Sequence, residues 1–301
     1  MLDAVARTLA CPRCRGALTE REQGQELNCP ACSVTFAVAG GIPRMTDGAE
    51  QRDARMSAEW RAQAHARAQY TDTASVLNRW EVEVLPQLVD WLGDVPGPVL
   101  DVGCGVGHLG ASLTVMGRTD IQLIGTDFQP DLLQEVRSGY SGLVEADVHH
   151  LPFKDEVFAG AIASNSLHHF PDVTLAMREI ARVLRPGGVF IAYDPRFVST
   201  LEKLKKLLRR NDRAFTEDHK AFRIDEYRDL LGVSGLTVTD IRCVDPLGPL
   251  FATGLDYLNV GGLGVAGTIA KSLVALDRLF AGRTGQTPLG LMLAGRAVKF
   301  A

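Results

Sequence analysis

Short apolar runs alternate with amphipathic stretches through the last two thirds of the chain. The runs are PVLDVG, IQLIGTD, GLVEAD, FAGAIAS, GVFIAYD, LTVTDIRC and LGLMLAGRAVKF. Between most of them apolar positions recur at helical spacing. Strands alternating with helices predict an α/β fold, a largely parallel sheet covered on both faces. Residues 74–93 also carry a helical pattern, with Pro86 placed to kink it. Ahead of them the text is polar and rich in Ala and Arg, which reads as a linker running into a helix. The expected division is a small domain over 1–46, a linker and helix over 47–73, and a large domain over 74–301. About 45 residues separate the last two strands, an unusually long connection. They are rich in Gly and Leu and include TIAKSLVALDRLFAG, so a helical insertion is expected at about 245–288. Its apolar surface reads as a wall for a bulky acceptor, a dimer contact or plain core.

Composition narrows the class. The chain has 301 residues, 46% hydrophobic and 23% charged, with net charge −4, which suits one large folded domain plus a small one. That balance gives no whole-chain electrostatic footprint for nucleic acid. No charge-free apolar run reaches the roughly 18 residues of a spanning helix. MLDAVARTLACPRC lacks the basic and apolar regions of a signal peptide, so a cytoplasmic protein is expected. One local exception is LEKLKKLLRRNDR, a basic amphipathic helix candidate over 201–213. Leu201, Leu204, Leu207 and Leu208 share a face, and Lys203, Lys205, Lys206, Arg209 and Arg210 crowd the rest. It reads as a solvated face, or as a contact to a peripheral anionic membrane surface, a phosphorylated acceptor or RNA.

Four of the six cysteines, Cys11, Cys14, Cys29 and Cys32, are spaced C-x2-C-x14-C-x2-C. Two facing Cys-x-x-Cys knuckles make a tetrahedral sulfur cage suited to zinc. A disulfide pair and a redox site are the alternatives. A closed four-cysteine site leaves no open position for substrate, so the metal reads as structural. CPRCRGALTE followed by LNCPACSVTFAVAGGIPRM resembles the small zinc-ribbon family whose free-standing members bind and activate methyltransferases. The resemblance implies a ribbon that packs against and shapes a catalytic domain.

VLDVGCGVGHLG follows the first strand and enters a helix. Its glycines let the backbone turn sharply and approach a ligand closely. Gly105-x-Gly107-x-x-Gly110, with Asp127 further on, also matches the dinucleotide fingerprint. Asp101 at the strand end argues against it, since a carboxylate repels a pyrophosphate and attracts a cationic sulfonium amino acid. With EADVHHLPF and LRPGGVFIAYD, the stretch Val99–Asp194 resembles class I S-adenosylmethionine-dependent methyltransferases. The resemblance implies a seven-stranded Rossmann-like sheet. It also implies a cofactor site. Gly103, Cys104, Gly105 and Gly107 cradle the cofactor and Asp101 lies near its methionine end. Asp127 binds the ribose hydroxyls, Asp147 and Val148 frame the adenine, and Phe128 and Ser164 complete the cofactor-binding set.

SNSLHHF and DHKAFRIDEYRDLLGVSGL resemble small-molecule methyltransferases, including quinone and natural-product types, so a small-molecule or lipid-like acceptor is expected. An rRNA or tRNA base methyltransferase is the first alternative, because large-subunit rRNA guanine methyltransferases also carry a zinc ribbon. Their fourth ligand is usually His, whereas here all four are Cys, and the Asn/Asp-Pro-Pro-aromatic motif is absent. A non-catalytic methyltransferase-like partner is the second alternative. Candidate bases sit at strand ends: His168 and His169 first, then His219, with Asp194 a further candidate. His149 and His150 lie nearer the adenine, and His108 belongs to the glycine-loop helix.

Overall fold

The computed structural model describes residues 5–46, 76–136, 138–199, 221–257, 264–281 and 286–300. The linker over 47–73, the basic stretch 201–213 and His219 lie outside the described residues.

The N-terminal module is a four-stranded antiparallel sheet in sequential order: β1 (Thr19–Arg21), β2 (Glu26–Cys29), β3 (Val34–Ala39) and β4 (Ile42–Pro43). Two knuckles precede and interrupt it. In each, the backbone N–H four residues after the first cysteine returns to that cysteine's carbonyl: Arg15 to Cys11 at 2.7 Å and Ser33 to Cys29 at 2.8 Å. Arg15 and Ser33 are both left-handed, at φ 59° and 58°. The local repeat bends the chain twice in the same way and brings the four sulfurs together.

The large domain is a seven-stranded sheet built from β5 (Val99–Val102), β6 (Leu123–Asp127), β7 (Gly142–Glu145), β8 (Phe158–Ser164), β9 (Leu184–Pro195), β10 (Leu236–Val244) and β11 (Met292–Lys299). Its order is β10-β11-β9-β8-β5-β6-β7, with β11 alone antiparallel to its neighbours. All seven strands coincide with the apolar runs of the sequence. The first six residues of FAGAIAS are all apolar because β8 is central and buried on both faces up to Ser164. β10 is an edge strand and only half-buried for most of its length. Among the described residues the helices of this domain are α1 (Val76–Leu92), α2 (His108–Met116), α3 (Pro130–Glu135), α4 (Val173–Val183), α5 (Ile224–Leu231), α6 (Gly248–Tyr257) and α7 (Ala266–Ala281). Pro86 lies inside α1, which continues as one helix through it.

The insertion between β10 and β11 forms α6 and α7. Ala252 of α6 and Ala266, Ala270, Leu273 and Val274 of α7 join one core cluster with Val76, Trp80, Val84 and Leu88 of α1. On the outer side Phe251, Leu279 and Phe280 are exposed.

The ribbon shares a core with the large domain. Leu9, Cys11, Leu27, Cys29, Phe36 and Met45 belong to the cluster that contains Leu100, Val144, Phe153 and Ile180. Backbone pairing adds direction to this contact. Leu9 bridges Phe153, and Arg44 bridges Glu145 beside the β7 edge, with Met45 N–H donating to the Glu145 carbonyl at 2.8 Å. That edge would otherwise be open to pairing with another chain. Arg15, on the first knuckle, also donates to buried Glu179 at 2.9 Å. Glu179 in turn accepts from the Leu151 N–H and from Arg182. Among the described residues no helix is long and apolar enough to cross a membrane.

Candidate cofactor site and zinc centre

The glycine loop sits where β5 ends, at the point where the chain order reverses between β8 and β6. Open α/β sheets bind ligands at such a point. Gly103, Gly105 and Gly107 are all left-handed, at φ 71°, 52° and 87°. A Cβ at Gly103 would stand 2.7 Å from the Ser166 Cβ, and one at Gly107 would stand 2.9 Å from Val136. A Cβ at Gly105 would meet nothing within 4 Å. The middle glycine therefore faces open space, as a ligand cradle requires.

Asp127 anchors this loop. Its Oδ2 accepts the Gly105 N–H at 2.9 Å and its Oδ1 accepts the Gln129 N–H at 2.9 Å. Burial raises its pKa while these backbone bonds oppose the rise. Each oxygen keeps acceptor capacity for a further donor. Asp101 is buried, and Tyr140 donates to its Oδ2 at 2.5 Å. Burial pushes the Asp101 carboxyl up to about 7, against the Tyr140 bond, with nearby Asp127 adding to the rise. Cys104 is buried with Leu133 and Leu143, against Ile42 of the ribbon. Phe128 follows Asp127 at the end of β6 and is half-buried.

Asp147 caps a short 3-10 turn, Val148–His150. Its Oδ1 meets the His149 N–H at 2.9 Å and the His149 Nδ1 at 2.6 Å. Burial works against the carboxylate, yet the His149 bonds hold its pKa below the ordinary value. Val148 is half-buried and packs against the core, while His150 is exposed. Ser164 is the last residue of β8. After it Asn165 is left-handed at φ 52° and donates to Glu81 of α1 at 3.3 Å, and Ser166 donates to the Val102 carbonyl at 2.8 Å. Glu81 also meets His108 Nδ1 at 3.0 Å. One acid thus ties α1 to the glycine-loop helix and to the β8 end. No motif marks Glu81; it stands in a helical pattern where a charge reads as solvated.

The His168–His169 pair is split by its surroundings. His168 is buried, and its Nδ1 lies 2.9 Å from the Asp194 Oδ1, which also receives the His168 backbone N–H at 3.2 Å. His169 is half-buried and its ring lies 3.9 Å from that of His168, centroid to centroid. Asp194 is fully buried at the end of β9. Its Oδ2 accepts from the Tyr227 hydroxyl at 3.0 Å. Tyr227, Tyr140 and Glu81 were not among the sequence candidates, because their partners are distant in sequence and a lone Tyr in an amphipathic helix reads as core.

In the ribbon, Cys11 and Cys32 sulfurs lie 3.6 Å apart, Cys14 and Cys29 3.4 Å, and Cys14 and Cys32 3.7 Å, with all four within 4.8 Å of one another. A tetrahedron of zinc–sulfur bonds of about 2.3 Å has edges of about 3.8 Å. The donor set and its spacing fit zinc. Gly16 sits against this cage: a Cβ there would lie 3.2 Å from the Cys14 sulfur. The closest of these sulfurs stand 3.4 Å apart and none is bonded to another, a spacing that suits ligands around one ion and not a disulfide.

Residues 100–192 match the family model described as a methyltransferase domain, and residues 6–41 match that of Trm112p-like proteins. The methyltransferase GfsG of Streptomyces halstedii is 32% identical over 56% of this chain and 65% of its own length. The fatty-acid O-methyltransferase of Mycolicibacterium smegmatis is 35% identical over 40% of this chain and 45% of its own. The chain thus covers less than two thirds of either relative. A SAM-dependent methyltransferase structure from Thermotoga maritima shares the fold at TM-score 0.54 and 17% identity, covering 80% of this chain and 99% of that one. A chain from the Haloferax volcanii complex that contains the Trm112 methyltransferase activator does so at 0.53 and 18%, covering 81% and 96%.

Proposed function

We infer, from a class I methyltransferase domain fused to a Trm112-like zinc-ribbon module, that this chain transfers a methyl group from S-adenosylmethionine to a small-molecule acceptor. The observation that carries the reading is the pair of acids flanking the open glycine turn, buried Asp101 near the end of β5 and half-buried Asp127 at the end of β6. The donor supplies a methyl already activated on a cationic sulfur, so the protein's work is alignment and, for a hydroxyl or acidic carbon, removal of a proton. Gly103, Cys104, Gly105 and Gly107 cradle the cofactor, Asp101 faces its methionine end, Asp127 with Phe128 takes the ribose, Asp147 and Val148 bound the adenine, and Ser164 lines the cleft at the end of β8. His168 takes the acceptor's proton at Nε2 as the acceptor oxygen bonds the methyl carbon and the carbon–sulfur electron pair leaves with sulfur. His169 borders the same cleft. Asp194, enclosed by donors, orients His168 and does not itself reach the acceptor. The ribbon acts by packing, its metal being structural, and a thiolate cage of this kind suits the reducing cytoplasm.

The acceptor class is tested by incubating zinc-loaded protein with methyl-labelled S-adenosylmethionine and a panel of phenols, quinols, fatty acids and polyketide aglycones, with structured RNA as the competing substrate. Label in a small molecule is expected. Label in RNA alone would overturn the acceptor reading.

Asp101 adds a pH signature. The folded protein holds its proton to about pH 7, whereas an unfolded Asp releases it near about pH 4. Asp101 therefore lowers the stability of the free protein as pH rises through that window. A sulfonium or ammonium group beside it favours the ionised form, so binding expels the proton. Calorimetry in buffers of different ionisation enthalpy should show proton release near about pH 6 and tighter S-adenosylmethionine binding from about pH 5.5 to about pH 8. Asp101→Asn should abolish both effects.

A further inference from the structure

We propose that Tyr227 is a positioning residue for the proton-accepting step, acting on His168 through Asp194. The inference rests on the reading that His168 takes the acceptor's proton. Three elements converge here: the turn after β8 brings His168, β9 carries Asp194 one residue before its end, and α5 brings Tyr227. Asp194 and Tyr227 are both fully buried.

The carboxylate's two oxygens are divided between two tasks. Oδ1 receives both the ring and the backbone of His168, at 2.9 and 3.2 Å. Oδ2 receives the Tyr227 hydroxyl at 3.0 Å. A carboxylate held by one oxygen alone can rotate about its Cβ–Cγ bond, and the Tyr227 bond removes that freedom. With Oδ1 fixed as the acceptor, the neutral imidazole carries its proton on Nδ1 and presents Nε2 as the basic atom. A base oriented by a third group is the recurring arrangement for activating a hydroxyl.

Tyr227 is itself held tightly. Its ring lies 5.3 Å from that of Phe222. On the other side β11 carries Gly295, where a Cβ would come within 3.1 Å of the Tyr227 ring and still closer to Leu231. The absent side chain is what lets α5 approach the sheet closely enough for the hydroxyl to reach Asp194. Burial, and then the Asp194 charge, raise the phenol pKa far above its ordinary value, so it remains a donor at every working pH. His168 faces His169 from its own turn and Asp194 from β9, with Tyr227 behind Asp194.

A purely structural tie would lower stability when cut and leave the imidazole's chemistry alone. The two are separated by the ring nitrogens. Histidine labelled with 15N in zinc-loaded protein should report His168 as a single Nδ1–H tautomer at about pH 8. Tyr227→Phe should convert it to a mixture of tautomers. On whichever panel compound is labelled above, the same variant should lower kcat by about tenfold, with KM and S-adenosylhomocysteine affinity within about twofold of wild type. Asp194→Asn keeps the side-chain volume and serves as the second variant, with a similar tautomer loss expected. If the tautomer or kcat is unchanged in Tyr227→Phe, the inference fails. If His168→Gln transfers methyl at the wild-type rate, the base reading fails with it.

Discussion

Cys29→Ser removes the zinc and unfolds the ribbon, and the large domain loses stability with it. Cys29 is fully buried and lies at the end of β2, in the core that continues through Leu27 and Phe36 to Val144 and Phe153. Four thiolates drawn to within bonding distance of one ion supply folding free energy that a domain of this size cannot obtain from its small apolar content. Loss of the metal also releases the first knuckle, and with it the Arg15–Glu179 bond and the isolated bridge between Leu9 and Phe153. The expected cost is about 5 kcal/mol or more, a fall in Tm of order 10 °C. Calorimetry and elemental analysis check both halves. Wild type should hold one zinc per chain, and Cys29→Ser none. Wild-type protein with four reactive thiols, no zinc and the same Tm after chelation would end the zinc assignment.

Asp127→Ala should weaken S-adenosylhomocysteine binding by about 10²–10³-fold. Two losses combine. In the proposed site the ribose hydroxyls would lose their acceptors, and the Gly105 and Gln129 N–H groups lose theirs. The second loss matters because Gly105 is the residue of the loop whose Cα faces open space. Without its anchor the turn no longer holds one shape before the ligand arrives, and ordering it on binding costs affinity. Asp127→Asn retains one oxygen acceptor and should fall between the two. Isothermal titration decides the matter, and a change under about threefold for Asp127→Ala would remove Asp127 from the cofactor site.

Most of the fold is legible in the sequence because its signals are local. A buried parallel strand is apolar on both faces, so FAGAIAS and GVFIAYD announce β8 and β9 without reference to anything distant. Paired Cys-x-x-Cys spacing and a glycine turn behind a strand are equally local. What escaped is made of long-range polar pairs. Tyr140 to Asp101, Glu81 to His108 and Tyr227 to Asp194 each join residues whose separation carries no periodic signal. Hydropathy scores a residue and not its partner, so nothing in the sequence singles out Glu81 or Tyr227. The same limit applies to Asp194. Its position after a strand suggested a base, and only the enclosure by His168 and Tyr227 points to an orienting role. The insertion between β10 and β11 was visible as helical, but its packing on α1 depends on an apolar stripe of α1 with no mark of its destination.

The glycine turn and its acids are expected to hold S-adenosylmethionine and not a dinucleotide, a distinction the motif alone leaves open. Titration of zinc-loaded protein with S-adenosylhomocysteine and, separately, with NAD tests it most directly. Saturable binding of S-adenosylhomocysteine at one equivalent per chain and no heat with NAD are the expected results. Saturable NAD binding with no response to S-adenosylhomocysteine would contradict it.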